Sequence, residues 1–256
     1  MTTNGSLLTK KTYEKLHDID VSLYQITLDG TKEYHDRFRK FTNGKGSYNK
    51  IINNLLSIKE TNNKDMFILR TNVGADNLDI MDEHIKILVD LFGEDSRFML
   101  SFHNIGNWGE NESNIIRESI SMKLQKKAID LGANVVPIIL SLSPGATCYA
   151  AKLNSFVIGS DGKVYKCTVA LYENVNNIGV LKENGTMILD SNKHKKWTTS
   201  SLNDNCLNCV LLPNCLNNQC PLNNLIKKEP CLVTTDKIKE AIKLLDYQNL
   251  ITYTVK

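Results

Sequence analysis

All seven cysteines of this 256-residue chain lie between Cys148 and Cys231, and the first 147 residues contain none. The densest stretch runs Cys206, Cys209, Cys215, Cys220, Cys231, a C-x2-C-x5-C-x4-C-x10-C spacing, with Cys148 and Cys167 ahead of it. A C-x2-C pair presents two thiolates to one metal centre from a single tight turn, which suits zinc and iron–sulfur sites alike. Disulfide scaffolds are usually short secreted chains with cysteines throughout. Here Met1-Thr-Thr-Asn-Gly5 has neither the basic nor the apolar region of a signal peptide. Zinc would favour a second C-x2-C pair or histidines at ligand spacing, yet His194 is the only histidine after His103. Iron–sulfur clusters take four thiolates each, so seven cysteines make one complete site and one three-ligand site. Iron–sulfur ligation is the preferred reading, with disulfide and zinc as the alternatives.

The rest of the chain must then supply an ordinary core. Its 41% hydrophobic content is enough for one large domain, or one large and one small. A net charge of +3 gives no argument for nucleic acid or an anionic membrane. No apolar run approaches the roughly 18 residues of a membrane span. Reactive cysteines without a secretory signal fit a cytoplasmic protein.

Residues 1–147 alternate helix-like and strand-like stretches. Thr9 to Leu16 reads as a short helix, and Ser22 to Leu28 as a strand ending at the Asp29-Gly30 turn signal. Ser47 is placed to cap a helix whose Ile51, Ile52, Leu55, Leu56 and Ile58 follow a helical period. Met66 to Leu69 reads as a strand leading into Arg70-Thr-Asn72, and Leu78 to Phe92 as a helix closed by Gly93. Arg97 to Phe102 is a strand, Ser113 to Leu131 a helix stopped by Gly132, and Asn134 to Leu140 a strand. This alternation predicts βαβ units in a parallel sheet or partial barrel. Ligands gather at the C-terminal ends of such strands, which nominates Thr27, Asp29, Asn72, His103 and Asn104. The plainer alternative is that Asp29-Gly30 is only a turn and that a backbone carbonyl satisfies His103.

After Pro144-Gly145 the character changes. Phe156 to Tyr165 reads as a β-hairpin around Asp161-Gly162, and Asn184-Gly185 marks another turn. From Ser191 the chain is polar and loop-like through the dense cysteines, and Asp236 to Tyr247 is an amphipathic helix. The expected domains are 1–142 and 143–256.

The series Cys148-x13-Gly162-x4-Cys167, Cys206-x2-Cys209-x5-Cys215-x4-Cys220 and Cys231 resembles the SPASM domain, the seven-cysteine tail of many radical S-adenosylmethionine (SAM) enzymes. Gln25-Ile-Thr-Leu-Asp-Gly30 and the following Lys32 to Gly46 resemble the fourth strand and loop of radical SAM barrels. Thr3 to Thr9 resembles the loop after their third strand. The resemblance implies an α/β fold, an incomplete (β/α)6 radical SAM barrel followed by a cysteine-rich domain with a β-hairpin. It also implies two auxiliary [4Fe–4S] clusters, one on Cys148, Cys167 and Cys220, the other on Cys206, Cys209, Cys215 and Cys231. In the barrel it implies S-adenosylmethionine contacts at Thr27, Arg39 and Ile105. The open iron of the three-ligand cluster would take a substrate thiolate or water.

Two departures shape the expectation. The family's C-x3-C-x2-C loop and its Gly-Gly-Glu motif are not among these residues. The chain therefore reads as starting near the end of strand three, inactive alone, with S-adenosylmethionine bound only if another chain supplies the missing barrel half. Cys167 is followed by Thr168, where sulfatase-maturing members carry Asp. Lys166-Cys-Thr-Val169 looks more like the enzymes that place thioether or carbon–carbon cross-links in ribosomally made peptides. The expected substrate is a peptide or protein. The alternatives are a sulfatase-maturing type of enzyme and a non-catalytic peptide- or partner-binding module.

Overall fold

Alternation of large apolar and polar residues builds the first sheet. In the computed structural model, which describes residues 1–105, 120–136, 148–199, 204–209, 212, 221–222, 225 and 235–247, β1 (Thr2–Thr3), β2 (Leu23–Thr27), β3 (Met66–Val73) and β4 (Phe98–Asn104) lie parallel in sequence order. A parallel bridge between Leu100 and Val135 carries the pairing one step past β4. Helices α1 (Lys10–His17), α2 (Lys32–Phe38), α3 (Tyr48–Lys59), α4 (Met81–Phe92) and α5 (Ser121–Asp130) alternate with the strands.

Tyr24, Ile26, Phe67, Leu69, Phe98 and Leu100 all point to one buried face, where they join Ile51, Leu55, Ile58, Ile85, Leu88 and Phe92 of the helices. The register sets Tyr24 beside Phe67 and Phe67 beside Phe98. Their rings stack with centroids 5.1 and 4.9 Å apart, and Phe92 adds a fourth ring at 4.7 Å from Phe98. Such offset pairs contribute about 0.5–1.5 kcal/mol each beyond their buried area.

Several expectations are corrected. β3 does not stop at Leu69; it runs on through Arg70, Thr71 and Asn72 to Val73, because β4 pairs with it residue for residue. Ser47 occupies the N-cap position of α3 but its hydroxyl makes no cap bond. Asp36 Oδ1 accepts the Tyr48 N–H at 2.9 Å instead. Gly93 follows α4 in a right-handed conformation, and a short 3₁₀ turn, Leu78–Ile80, precedes that helix. The stretch from Ser191 opens as a helix, α6 (Ser191–Thr198), where a loop was expected. Asp190 Oδ1 caps it through the Asn192 and Lys193 N–H groups, and Trp197 buries beneath it.

The second sheet is antiparallel, β5 (Val157–Ile158), β6 (Lys163–Tyr165), β7 (Asn177–Leu181) and β8 (Met187–Leu189) in that order. Its first hairpin turns at Gly162 with φ +76°, as the Asp161-Gly162 pair predicts. The four-residue helix α7 (Asp204–Leu207) and the 13-residue helix α8 (Thr235–Tyr247) follow. The chain divides into two compact units, Met1–Ile138 with Glu240–Lys256, and Ile139–Lys239. The architecture is mixed α/β, a parallel sheet of incomplete-barrel type and a separate antiparallel sheet. Expected helix residues 113–119 and strand residues 137–140 lie outside the described residues.

Candidate functional site

The C-terminal ends of β2 and β3 meet at Asp29. Its backbone turns sharply because Gly30 takes φ +126°, and a side chain there would come within 2.9 Å of Ile80 Cδ1. Arg39, at the end of α2, grips one carboxylate oxygen of Asp29 with Nη2 at 2.6 Å and Nε at 2.7 Å. The other oxygen accepts the backbone N–H and the side-chain amide of Asn72, each at 3.0 Å. Asn77 Nδ2 donates to the carbonyls of Asp29 and Asn72 at 3.2 and 3.0 Å.

Two histidines hold this bend from beneath. The Asp29 N–H donates to His35 Nδ1 at 3.3 Å, so the ring proton sits on Nε2 and faces the Ser47 hydroxyl at 3.1 Å. Ser47 in turn donates to the Arg39 carbonyl at 2.8 Å. Thr71 donates to the Leu28 carbonyl at 2.9 Å, which leaves His84 Nε2 as the donor to Thr71 at 3.0 Å. Burial holds both rings below the ordinary histidine range, His84 at about 4. Both are therefore neutral at pH 7, as their hydrogen bonds require.

Above the bend opens a cleft of about 360 Å³ lined by Asp29, Tyr34, Phe38, Arg39, Asn72, Asp76 and Ile105. Small-molecule sites typically run from about 300 to 1,000 Å³. Arg39 and Ile105, nominated as contacts for one ligand, share this cleft; Thr27 ends β2 two residues before Asp29 and is not among its lining residues. Burial and the neighbouring Asp76 carboxylate push the Tyr34 phenol up, so it stays protonated. Tyr34 and Phe38 come from α2, within the Lys32 to Gly46 stretch, and Asp76 from the loop after β3; packing at the strand ends brings the three together. Asp29 and Asn72 were nominated from strand-end position. Asp29 is more than a turn residue, since five donors converge on its carboxylate and carbonyl. His103 meets the Ser101 hydroxyl at 3.0 Å, not a backbone carbonyl, and Asn104 Oδ1 accepts the Ser121 N–H at 3.2 Å.

In the second unit, Cys148 and Cys167 pack in one apolar cluster with Ala150, Val164, Ala170, Ile178, Trp197 and Leu222. The residues that follow them are joined, Tyr149 Oη to Thr168 Oγ1 at 2.8 Å and to the Thr168 N–H at 3.0 Å. Asn176 clamps the backbone at Cys167, accepting its N–H at 2.9 Å and donating to its carbonyl at 2.8 Å. The Lys166 side chain is buried beside it, with Nζ on the carbonyls of Lys152 and Ser155 at 2.6 and 2.7 Å. Cys206 and Cys209 share a tight turn in which the Cys209 N–H donates to the Cys206 carbonyl at 3.0 Å. Cys215, Cys220 and Cys231 lie outside the described residues, and among the described residues no three potential metal ligands converge.

No family model matches the chain. It is 28% identical over 241 residues to a cysteine-type anaerobic sulfatase-maturating enzyme of Clostridium novyi, covering 83% of this chain and 61% of that protein. It is 26% identical over 131 residues to the Fe-coproporphyrin III synthase of Methanosarcina barkeri, covering 51% of this chain and 30% of that one. The chain thus spans less than two thirds of the length of either relative. Among solved structures, native anSMEcpe with bound AdoMet aligns over 97% of this chain and 74% of its own, at TM-score 0.60 and 18% identity. Native anSMEcpe with bound AdoMet and the Kp18Cys peptide aligns over the same shares at TM-score 0.61 and 17% identity. By these measures the chain is similar in sequence to the sulfatase-maturating enzyme and the Fe-coproporphyrin III synthase, and it shares the fold of anSMEcpe.

Proposed function

We propose that this chain is part of a radical SAM/SPASM peptide-modifying system whose cysteine-rich domain, residues 143–256, carries two auxiliary [4Fe–4S] clusters. Cys148, Cys167 and Cys220 hold one; Cys206, Cys209, Cys215 and Cys231 hold the other. The observation that carries the reading is the placement of Cys148 and Cys167, nineteen positions apart, in one apolar cluster, with the Tyr149 hydroxyl bonded to Thr168 and Asn176 clamping the backbone at Cys167. Water-excluding surroundings and a fixed backbone suit a cluster ligand, because exposure and hydrogen bonding set its potential. The described members of each set fit that role; a tight Cys206–Cys209 turn is the C-x2-C geometry that one centre requires.

Arg39 and Ile105 in the cleft, with Thr27 at the strand end beside it, are the residues that would hold S-adenosylmethionine. Arg39 would offer charge to its carboxylate while Asp29 and Asn72 keep the guanidinium in place. Bound to a site-differentiated cluster, that cofactor supplies the radical that abstracts a substrate hydrogen. The C-x3-C-x2-C loop such a cluster needs is not among these 256 residues, so turnover requires residues from outside them. A reducing, cytoplasmic setting suits seven thiolates in this role.

A second reading is sulfatase maturation, favoured by the name of the Clostridium novyi relative. Thr168 argues against it, since a hydroxyl bonded to Tyr149 stands where a carboxylate base would be needed. Anaerobic reconstitution with iron and sulfide tests the main reading. The expected result is about eight irons per chain with the absorption of [4Fe–4S] clusters. Stoichiometric zinc without iron uptake overturns it.

A further inference from the structure

The face of the parallel sheet opposite the helices carries a cation, Arg70, that does not line the cleft. In-register pairing sets Thr27, Arg70 and Ser101 side by side across β2, β3 and β4, with Asn72 and His103 one step nearer the strand ends. Alternation along β3 buries Phe67, Leu69, Thr71 and Val73 and turns Ile68, Arg70 and Asn72 to the other side, half-buried. Arg70 spends its Nε on Asn72 Oδ1 at 3.1 Å. Among the described residues no ion pair engages it, whereas Arg39 is held by Asp29 and Arg97 by Asp95.

Its in-register neighbours, Thr27 and Ser101, are uncharged. His103 meets Ser101, and burial, followed by the Arg70 charge, keeps its ring below the ordinary range. A half-buried guanidinium whose two outer nitrogens have no partner among the described residues matches the two oxygens of a carboxylate, the pairing a planar fork favours over any point charge. Strand position favours it as well, because ligands of parallel α/β sheets lie beyond the C-terminal ends of the strands.

We propose that Arg70, set between Thr27 and Ser101 on the sheet face opposite the helices, binds the side-chain carboxylate of an acidic residue in the peptide substrate. The inference rests on the reading of this chain as a peptide-modifying protein and names an acidic residue as part of what that substrate presents. A free amino-acid carboxylate, such as that of S-adenosylmethionine, is the other source of the same chemistry, and Arg39 is its partner.

The chain has five arginines, so ¹⁵N-arginine labelling of the full protein gives a small set of side-chain Nε–H signals. The probes are an end-blocked peptide with one central Glu among Gly, Ser and Ala, its Gln counterpart, and S-adenosylmethionine. The Glu peptide should shift the Arg70 signal saturably and bind about tenfold more tightly than the Gln peptide, as one charge-assisted pair implies. Arg70→Gln should abolish that preference with the other four signals in place, and Arg70→Lys should keep part of it. Equal binding of the Glu and Gln peptides overturns the inference and leaves the peptide reading standing. A shift of Arg70 by S-adenosylmethionine and not by the Glu peptide also overturns it. Failure of the peptide-modifying reading itself is registered separately, by the absence of iron uptake.

Discussion

At the scale of single residues, the site is set by hydrogen-bond direction more than by charge. His84 is fully buried, donates Nε2–H to Thr71, and has no partner for Nδ1 among the described residues. A second proton would place a charge there with nothing to receive it, and burial accordingly pushes its pKa down to about 4. The folded value is depressed below the unfolded one, so this contribution is fully present above about pH 6.5 and is lost as pH falls toward 4. Linkage puts the loss at about 2 kcal/mol between pH 7.5 and 5. His35 is shifted the same way by its burial and adds to it. Urea unfolding at the two pH values should show the slope, and His84→Gln, which cannot titrate, should flatten it by about that amount while lowering stability at pH 7.5. An unchanged slope in the variant would assign the pH dependence elsewhere. None of this was legible in the sequence: His35 lies in the stretch read as the loop after strand four, and His84 reads as one polar residue in a helix.

Among elements, the ends of the helices need the most explanation, because their last carbonyls have no partner within the helix. Arg97 supplies partners at the base of the sheet. Its Nη2 donates to the Lys59 carbonyl in the last turn of α3 at 2.7 Å, and Nη1 to the Thr61 and Asn63 carbonyls at 2.9 and 2.8 Å. Asp95 fixes the guanidinium from the other side at 2.7 Å, and the Arg97 side chain is only 14% exposed. One planar fork thereby ties α3, the loop after it and the start of β4. Lys59 does the same for α4 through the Leu91 carbonyl at 2.7 Å. Arg97→Lys keeps the charge and loses the fork, leaving carbonyls short of donors. It should cost about 2–4 kcal/mol, and Arg97→Met no less. Chemical denaturation checks this; a lysine variant as stable as the parent would show that charge alone suffices. The elements themselves were largely legible. Ile51, Ile52, Leu55 and Ile58 gave α3, and Asp161-Gly162 gave the hairpin. What failed were boundaries that tertiary pairing decides, such as the extension of β3 to Val73 and the capping of α3 by Asp36 in place of Ser47.

For the whole molecule, strand–helix alternation, a local pattern with few compatible architectures, anticipated the parallel sheet, and the family resemblance carried by the cysteine spacing anticipated the rest of the fold. The cleft was legible only in pieces: Arg39 and Ile105 followed from the resemblance and Asp29 from strand position, whereas Tyr34, Phe38 and Asp76 arrive by packing. The two units also differ in what fills them. The first is built on stacked rings and long aliphatic side chains, while the apolar cluster of the second contains Ala150, Cys167 and Ala170 among its described members. The same cluster also holds Val164, Ile178, Trp197 and Leu222, and ligation by the cysteines, as proposed, would add to the stability that this packing supplies. Trp197 lies in that second cluster, and Trp108 is the only other tryptophan. In a Trp108→Phe background, then, fluorescence reports the second unit alone, while far-ultraviolet circular dichroism is dominated by the helices of the first. Removing iron from reconstituted protein should redden Trp197 emission and lower its melting midpoint by about 10 °C or more, as a loss of several kcal/mol requires. The dichroism transition should move by less than half as much. Coincident transitions with and without iron would mean that the second unit stands on its packing, and the cysteines would then need another explanation.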